Sequence, residues 1–134
     1  MLRGLTTVSF YADDVTAAVR WYAGLLGIEP YFTRSVEETL AYAEFRIGDD
    51  EDELGIVDRR FAPGPRRDEP AGAVVYWAVD DVEAAFGRLL ALGATTYEKP
   101  VEHGPGFVTA SVVDPFGNVL GVMYNRHFLE VHDR

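Results

Sequence analysis

Few residues in this chain could carry acid–base, nucleophilic or metal chemistry, and their spacing narrows the choice. There is no cysteine, which removes thiolate catalysis, thiolate metal sites and disulfides together. The three histidines, His103, His127 and His132, all lie in the second half. His127 and His132 stand five apart, not the four that sets two ligands on one helix face. His103 sits in "EHGPGF", read as a glycine-rich loop before a strand, where an imidazole could touch a ligand or act as a base. Carboxylates are plentiful: 22 Asp and Glu against 12 Lys and Arg, a net charge of -10. That balance disfavours nucleic acid, whose binding needs clustered cations. It suits solubility, or a cationic ligand. The run Asp49-Asp50-Glu51-Asp52-Glu53 lacks calcium-loop spacing and reads as a solvated hairpin. Glu53 alone continues into an apolar stretch, two residues from Gly55 and on the same strand face.

The elements that must position these residues come from an internal repeat. "YADDVTAAVRWYAGLLG" near the start is answered 67 positions later by "AVDDVEAAFGRLLALG". "ELGIV" at 53–57 is answered by "VLGVM" at 119–123, which sets Gly55 against Gly121. Each half opens with an alternating strand, residues 7–11 and 74–78. Asp14 or Asp81 then offers a helix N-cap, and Gly27 or Gly93 stands where a C-cap glycine belongs. Three further strands follow in each half, near 29–34, 39–47 and 53–59, then 95–101, 106–113 and 119–125. The order is βαβββ twice: a first module over 4–59, a linker over 60–72, a second module over 73–125 and a tail over 126–134. The stretch "DRRFAPGPRRDEPAG", residues 58–72, holds three of the seven prolines and four basic residues, Arg59, Arg60, Arg66 and Arg67. Those arginines are either an anion-binding patch or a solvated connector. The length, 134 residues, suits one domain. No apolar run nears the roughly 20 residues of a membrane span. No signal-peptide pattern opens the chain, so a cytoplasmic setting is expected.

"DDVTAAVRWYAGLLG", the doubled module and the closing "VVDPFGNVLGVM" together resemble the vicinal oxygen chelate superfamily. This group includes glyoxalase I, fosfomycin resistance proteins, extradiol dioxygenases and bleomycin resistance proteins. The resemblance covers roughly residues 4 to 125. It implies an α+β fold in which two βαβββ modules curl eight strands of mixed sheet into a cup with helices outside. In the enzymes of the group a divalent metal sits in the cup, held by His, Gln or Glu from the first and fourth strand of each module. Those ligand positions fall here at Thr7, Gly55, Val74 and Gly121. Valine and glycine offer no donor atom, and one threonine hydroxyl is no site. The resemblance therefore implies no metal and no cofactor in this chain, and it implies a homodimer.

Strand alternation names the expected lining: Thr7, Ser9, Tyr11, Glu53, Gly55 and Val57 in one half, Tyr76, Gly121 and Met123 in the other, with His103 at the rim. This is a mostly apolar surface with a few hydroxyls and one carboxylate, the chemistry of a small-molecule pocket. A glycine inside a strand marks a bulge or a close approach. At Gly121 the visitor is an organic ligand or a neighbouring aromatic ring; the alternative is a bulge that curls the sheet. The first functional reading is a metal-independent binding protein of the bleomycin-resistance kind that sequesters an aromatic or amphipathic molecule. The second is a glyoxalase- or dioxygenase-like enzyme with non-standard or no metal ligands, working through His103 or Glu53. The third is an interaction domain with a filled cup. Catalytic residues are not identified.

Overall fold

The computed structural model describes residues 1–66 and 68–133; Arg67 of the linker and Arg134 of the tail lie outside them. The two stretches form two compact units. In the first, β1 (Thr7–Ala12), α1 (Val15–Leu26), β2 (Phe32–Val36), β3 (Thr39–Ile47) and β4 (Asp52–Asp58) build a sheet of order β1-β4-β3-β2. In the second, β5 (Val75–Ala78), α2 (Val82–Ala91), β6 (Thr95–Gly104), β7 (Phe107–Val113) and β8 (Val119–Asn125) repeat it as β5-β8-β7-β6. The first and fourth strands of each module run parallel and the other neighbours antiparallel. The class is α+β with two βαβββ modules. A short helix, α3 (Arg126–His132), occupies most of the expected tail. Among the described residues no helix is long and apolar enough to cross a membrane.

The repeated aspartates explain where the helices begin. Asp14 Oδ1 accepts the Ala17 N–H at 3.0 Å and Asp81 Oδ1 accepts the Ala84 N–H at 3.0 Å. Each satisfies one of the backbone donors a helix start leaves open. Gly27 ends α1 at φ 69°, where its N–H reaches the Ala23 carbonyl. That left-handed conformation is open to glycine at little cost.

Each helix covers one face of its own sheet. In the first module Val15, Ala18 and Tyr22 of α1 are buried, as are Phe10, Ala12, Ala41, Ala43, Phe45, Leu54 and Ile56. The alanines make room for two large rings: Phe10 and Tyr22 meet at 6.1 Å between centroids, and Phe45 is wholly buried. In the second module the buried set is Val82 and Leu89 of α2 with Ala110, Val112, Leu120 and Val122. Thr7, Ser9, Tyr11, Glu53 and Val57 alternate with the first set and so lie on the helix-free face.

Two strand boundaries differ from the sequence reading. β2 starts at Phe32 rather than near 29, because Pro30 has no N–H to give the ladder and pairing begins at the Tyr31 N–H, 2.7 Å from the Glu44 carbonyl. β6 runs on to Gly104, so His103 stands on a strand and not in a loop. The turn shrinks to Pro105 and Gly106, with Gly106 at φ 76°, the order of residues a type II turn takes. The described arginines of this stretch are engaged within the fold: Arg59 and Arg66 approach Asp13 at 3.3 and 3.0 Å, and Arg60 approaches Asp58 at 3.2 Å. This favours the connector over the anion patch. The paired guanidinia hold the Asp13 carboxyl below its ordinary pKa, chiefly through the Arg66 hydrogen bond.

Candidate functional site

The β1/β4 ladder sets Thr7 beside Glu53, Ser9 beside Gly55 and Tyr11 beside Val57. Thr7 Oγ1 donates to Glu53 Oε2 at 2.6 Å. In the second module Tyr76 stands beside Gly121 and Ala78 beside Met123. Val74 precedes β5, which begins one residue later than the sequence reading placed it. The expected residues therefore gather into two sets, one on each sheet: Thr7, Ser9, Tyr11, Glu53, Gly55 and Val57 on the first, Tyr76, Gly121 and Met123 on the second. His103 joins the second set through Thr109, whose hydroxyl lies 2.8 Å from His103 Nε2 and which pairs with Met123 across the ladder. The His103 ring also meets Phe107, 4.9 Å between centroids.

Both glycines are covered by a ring. A Cβ built on Gly121 would stand 2.6 Å from Tyr76 Cδ1 and 2.8 Å from the Val75 carbonyl oxygen. One built on Gly55 would stand 3.0 Å from Tyr42 Cε1 and 3.1 Å from Tyr42 Oη. Of the readings open at Gly121, the neighbouring aromatic side chain is the one observed. The covering strand differs between modules: β3 supplies the ring in the first and β5 in the second.

Tyr42 opens onto a network the sequence reading missed. Its hydroxyl donates to Glu44 Oε1 at 3.0 Å. Arg46 donates to Glu44 Oε2 from Nε at 3.2 Å and from Nη2 at 3.1 Å. The same Nη2 lies 3.1 Å from Glu53 Oε1. The Arg46 guanidinium carbon sits 4.3 Å from the centroid of the Tyr31 ring. Thr7, Glu53, Arg46, Glu44 and Tyr42 thus form one connected chain across three strands. The signal was in the sequence: Tyr42, Glu44 and Arg46 alternate with Ala41, Ala43 and Phe45, a period of two along β3.

Electrostatics follow from this arrangement. Burial, then the Glu44 hydrogen bond, then the charges of Glu44 and Glu53 push the Tyr42 phenol up from 10.0 to about 12. A raised folded-state pKa adds stability that is complete below pH 10 and is lost as pH climbs toward 12. Ultraviolet titration of the phenols should therefore show one tyrosine ionising late. A stability profile should fall between pH 10 and 12 in a step that Tyr42→Phe lacks. An unchanged step in Tyr42→Phe would show that Tyr42 is not its source. The Glu44 hydrogen bond also raises the Arg46 pKa, so the guanidinium stays charged throughout.

The positions the resemblance assigns to metal ligands do not fit a divalent ion. Those positions, Thr7, Gly55, Val74 and Gly121, carry no imidazole and no carboxylate, and the ladder neighbours of the two glycines, Ser9 and Tyr76, add none. Glu44 and Glu53 are near neighbours, but a guanidinium lies between them. No group of three or more His, Asp or Glu side chains comes together among the described residues.

Residues 4–122 match the sequence signature described as the Glyoxalase/Bleomycin resistance protein/Dioxygenase superfamily. No curated protein matches. Several solved structures share the fold. A glyoxalase-related enzyme from Fulvimarina pelagi superposes with a TM-score of 0.71 at 18% identity, covering 92% of this chain and 89% of its own. A glyoxalase/bleomycin resistance protein from Catenulispora acidiphila gives 0.60 at 23%, covering 90% and 97%. A lactoylglutathione lyase from Agrobacterium tumefaciens gives 0.64 at 21%, covering 92% and 94%.

Proposed function

Since the chain belongs to the glyoxalase/bleomycin resistance protein/dioxygenase superfamily, we propose that it is a metal-independent small-molecule binding protein. Its ligand is aromatic or amphipathic and lies on the helix-free sheet faces. The observation that carries this reading is the ring laid on each repeat-related glycine, Tyr42 on Gly55 and Tyr76 on Gly121, where metal chemistry would need a donor. Rings at these points offer stacking surface. The hydroxyls of Thr7 and Ser9, the Glu53 carboxylate and the His103–Thr109 pair supply sparse polar groups for orientation. Tyr76, 39% exposed, is free to present one face. The reading includes a homodimer, in which the exposed Phe128 and Val131 of α3 would take part, and a cytoplasmic setting, which a cysteine-free chain suits.

The test is a thermal-shift screen of cationic, neutral and anionic aromatic compounds, run beside elemental analysis after incubation with nickel, manganese, iron and zinc. A ligand present at 100 times its dissociation constant stabilises the fold by about 2.7 kcal/mol, a shift of several degrees for a chain of this size. The expected result is such a shift with a subset of compounds, weakened by Tyr76→Ala, and metal well below one equivalent. Stoichiometric metal, or a library that leaves the melting temperature unmoved, would overturn the reading.

A further inference from the structure

Arg46 is held the way a ligand cation would be held. Its guanidinium makes two hydrogen bonds to one oxygen of Glu44, forms an ion pair with Glu53, and stacks on Tyr31. Two carboxylates facing one planar cation leave the cluster with an excess negative charge. Tyr31 is 68% exposed, so it packs on Arg46 and contributes little to a core. Arg46 keeps 31% of its side-chain surface in solvent, Glu53 28% and Glu44 14%. Ion pairs this open are worth roughly fivefold or less each in an equilibrium, so the closed arrangement is easily exchanged for a better one. Arg46 stands on β3 with a long, flexible stem, and its release would leave the backbone ladder intact.

We propose that Glu44, Glu53 and Tyr31 form a recognition site for a guanidinium- or amidinium-bearing small molecule, occupied in the free protein by Arg46, which the ligand cation displaces. This rests on the ligand-binding reading and names the class of ligand group for the first sheet. A flat fork spans two carboxylates and stacks on a ring at once; a compact ammonium cannot match all three contacts. Self-occupancy lowers the apparent affinity by the fraction of molecules in which the site is open. With two partly exposed pairs to break, that factor is about tenfold. The device filters ligands: a weak cation does not dislodge the arginine, while one that also stacks does.

The experiment is calorimetric titration with benzamidinium at low salt, on the wild type, Arg46→Gln and Glu44→Gln/Arg46→Gln, each checked for native circular dichroism. Arg46→Gln should bind at least about tenfold tighter than wild type, and the double variant should lose that gain. n-Butylammonium should gain less than benzamidinium. If Arg46→Gln does not fold, Arg46→Met serves in its place. In the wild type, saturating benzamidinium should shift the Arg46 Nε–H resonance. Equal binding by wild type and the Arg46 variant, a gain that survives loss of Glu44, an equal gain for n-butylammonium, or an unmoved Arg46 resonance at saturation would each overturn the proposal. An aromatic library that still stabilises the protein after such a failure would leave the binding reading standing.

Discussion

Gly121→Ala is expected to lower stability by about 2–3 kcal/mol, the cost of forcing a methyl group into a filled space, on the order of 10 °C in melting temperature. The reason is geometric. The new Cβ would stand 2.8 Å from the Val75 carbonyl oxygen as well as 2.6 Å from Tyr76. A ring can swing aside, but a backbone oxygen in a parallel ladder cannot move without breaking the β5/β8 pairing. Tyr76→Ala added to Gly121→Ala should therefore recover only part of the loss. Gly55→Ala is the contrast: its Cβ meets only the outer edge of Tyr42, and the expected cost is under about 1 kcal/mol. Gly121→Glu, which places a carboxylate at a position the resemblance assigns to a metal ligand, should cost more than alanine. Thermal melts of the set decide the matter. Equal losses at 55 and 121 would show that the carbonyl contact is not what makes Gly121 demanding.

Asp114→Ala should be as damaging, about 3 kcal/mol, while Asp114→Asn should retain a good part of the loss. Asp114 is buried. Its Oδ1 accepts the backbone N–H groups of Phe116 at 2.9 Å and Asn118 at 2.8 Å, and its Oδ2 accepts Asn118 Nδ2 at 3.0 Å. Hydrogen bonds to a charged acceptor contribute roughly 1.5–3 kcal/mol, and the donors left behind would be stranded. This one side chain closes the β7–β8 turn and so fixes the register that puts Ser111 opposite Gly121. Denaturant unfolding of the two variants separates loss of charge from loss of the acceptor. An alanine variant as stable as wild type would show that the turn holds without its aspartate.

Both predictions fall in the stretch where the sequence was most legible. Asp14 and Asp81 announced their helices because a capping carboxylate acts on backbone three residues away, and the repeat made each one confirm the other. β3 and β7 read to within a residue because apolar side chains alternate there with polar ones, and β8 because its apolar run starts directly after the Asp114–Asn118 turn. What the sequence hid depends on contacts between strands. Nothing local says that Tyr42 of β3, rather than a residue of β1, covers Gly55. Nor does composition say that Arg46 lies between Glu44 and Glu53, because Glu53 arrives from the far side of a hairpin. The glycines that mark the repeat lie on the fourth strands, so no repeat signal points to β3. "EHGPGF" reads as a loop because it is rich in turn formers, yet Pro105 and Gly106 suffice to make the turn and His103 stays on β6.

The two covered glycines set different routes for a lineage descending from this chain. At Gly55 the obstacle is the tip of one side chain, so a change at Tyr42 opens the position and a second change can then install a donor. At Gly121 the obstacle includes main chain, which no substitution elsewhere removes cheaply. Successive mutations could install a metal ligand in the first module while the second stays closed to one. Any acquisition of metal binding would thus be lopsided, and a search of variants for it should begin at 42 and 55.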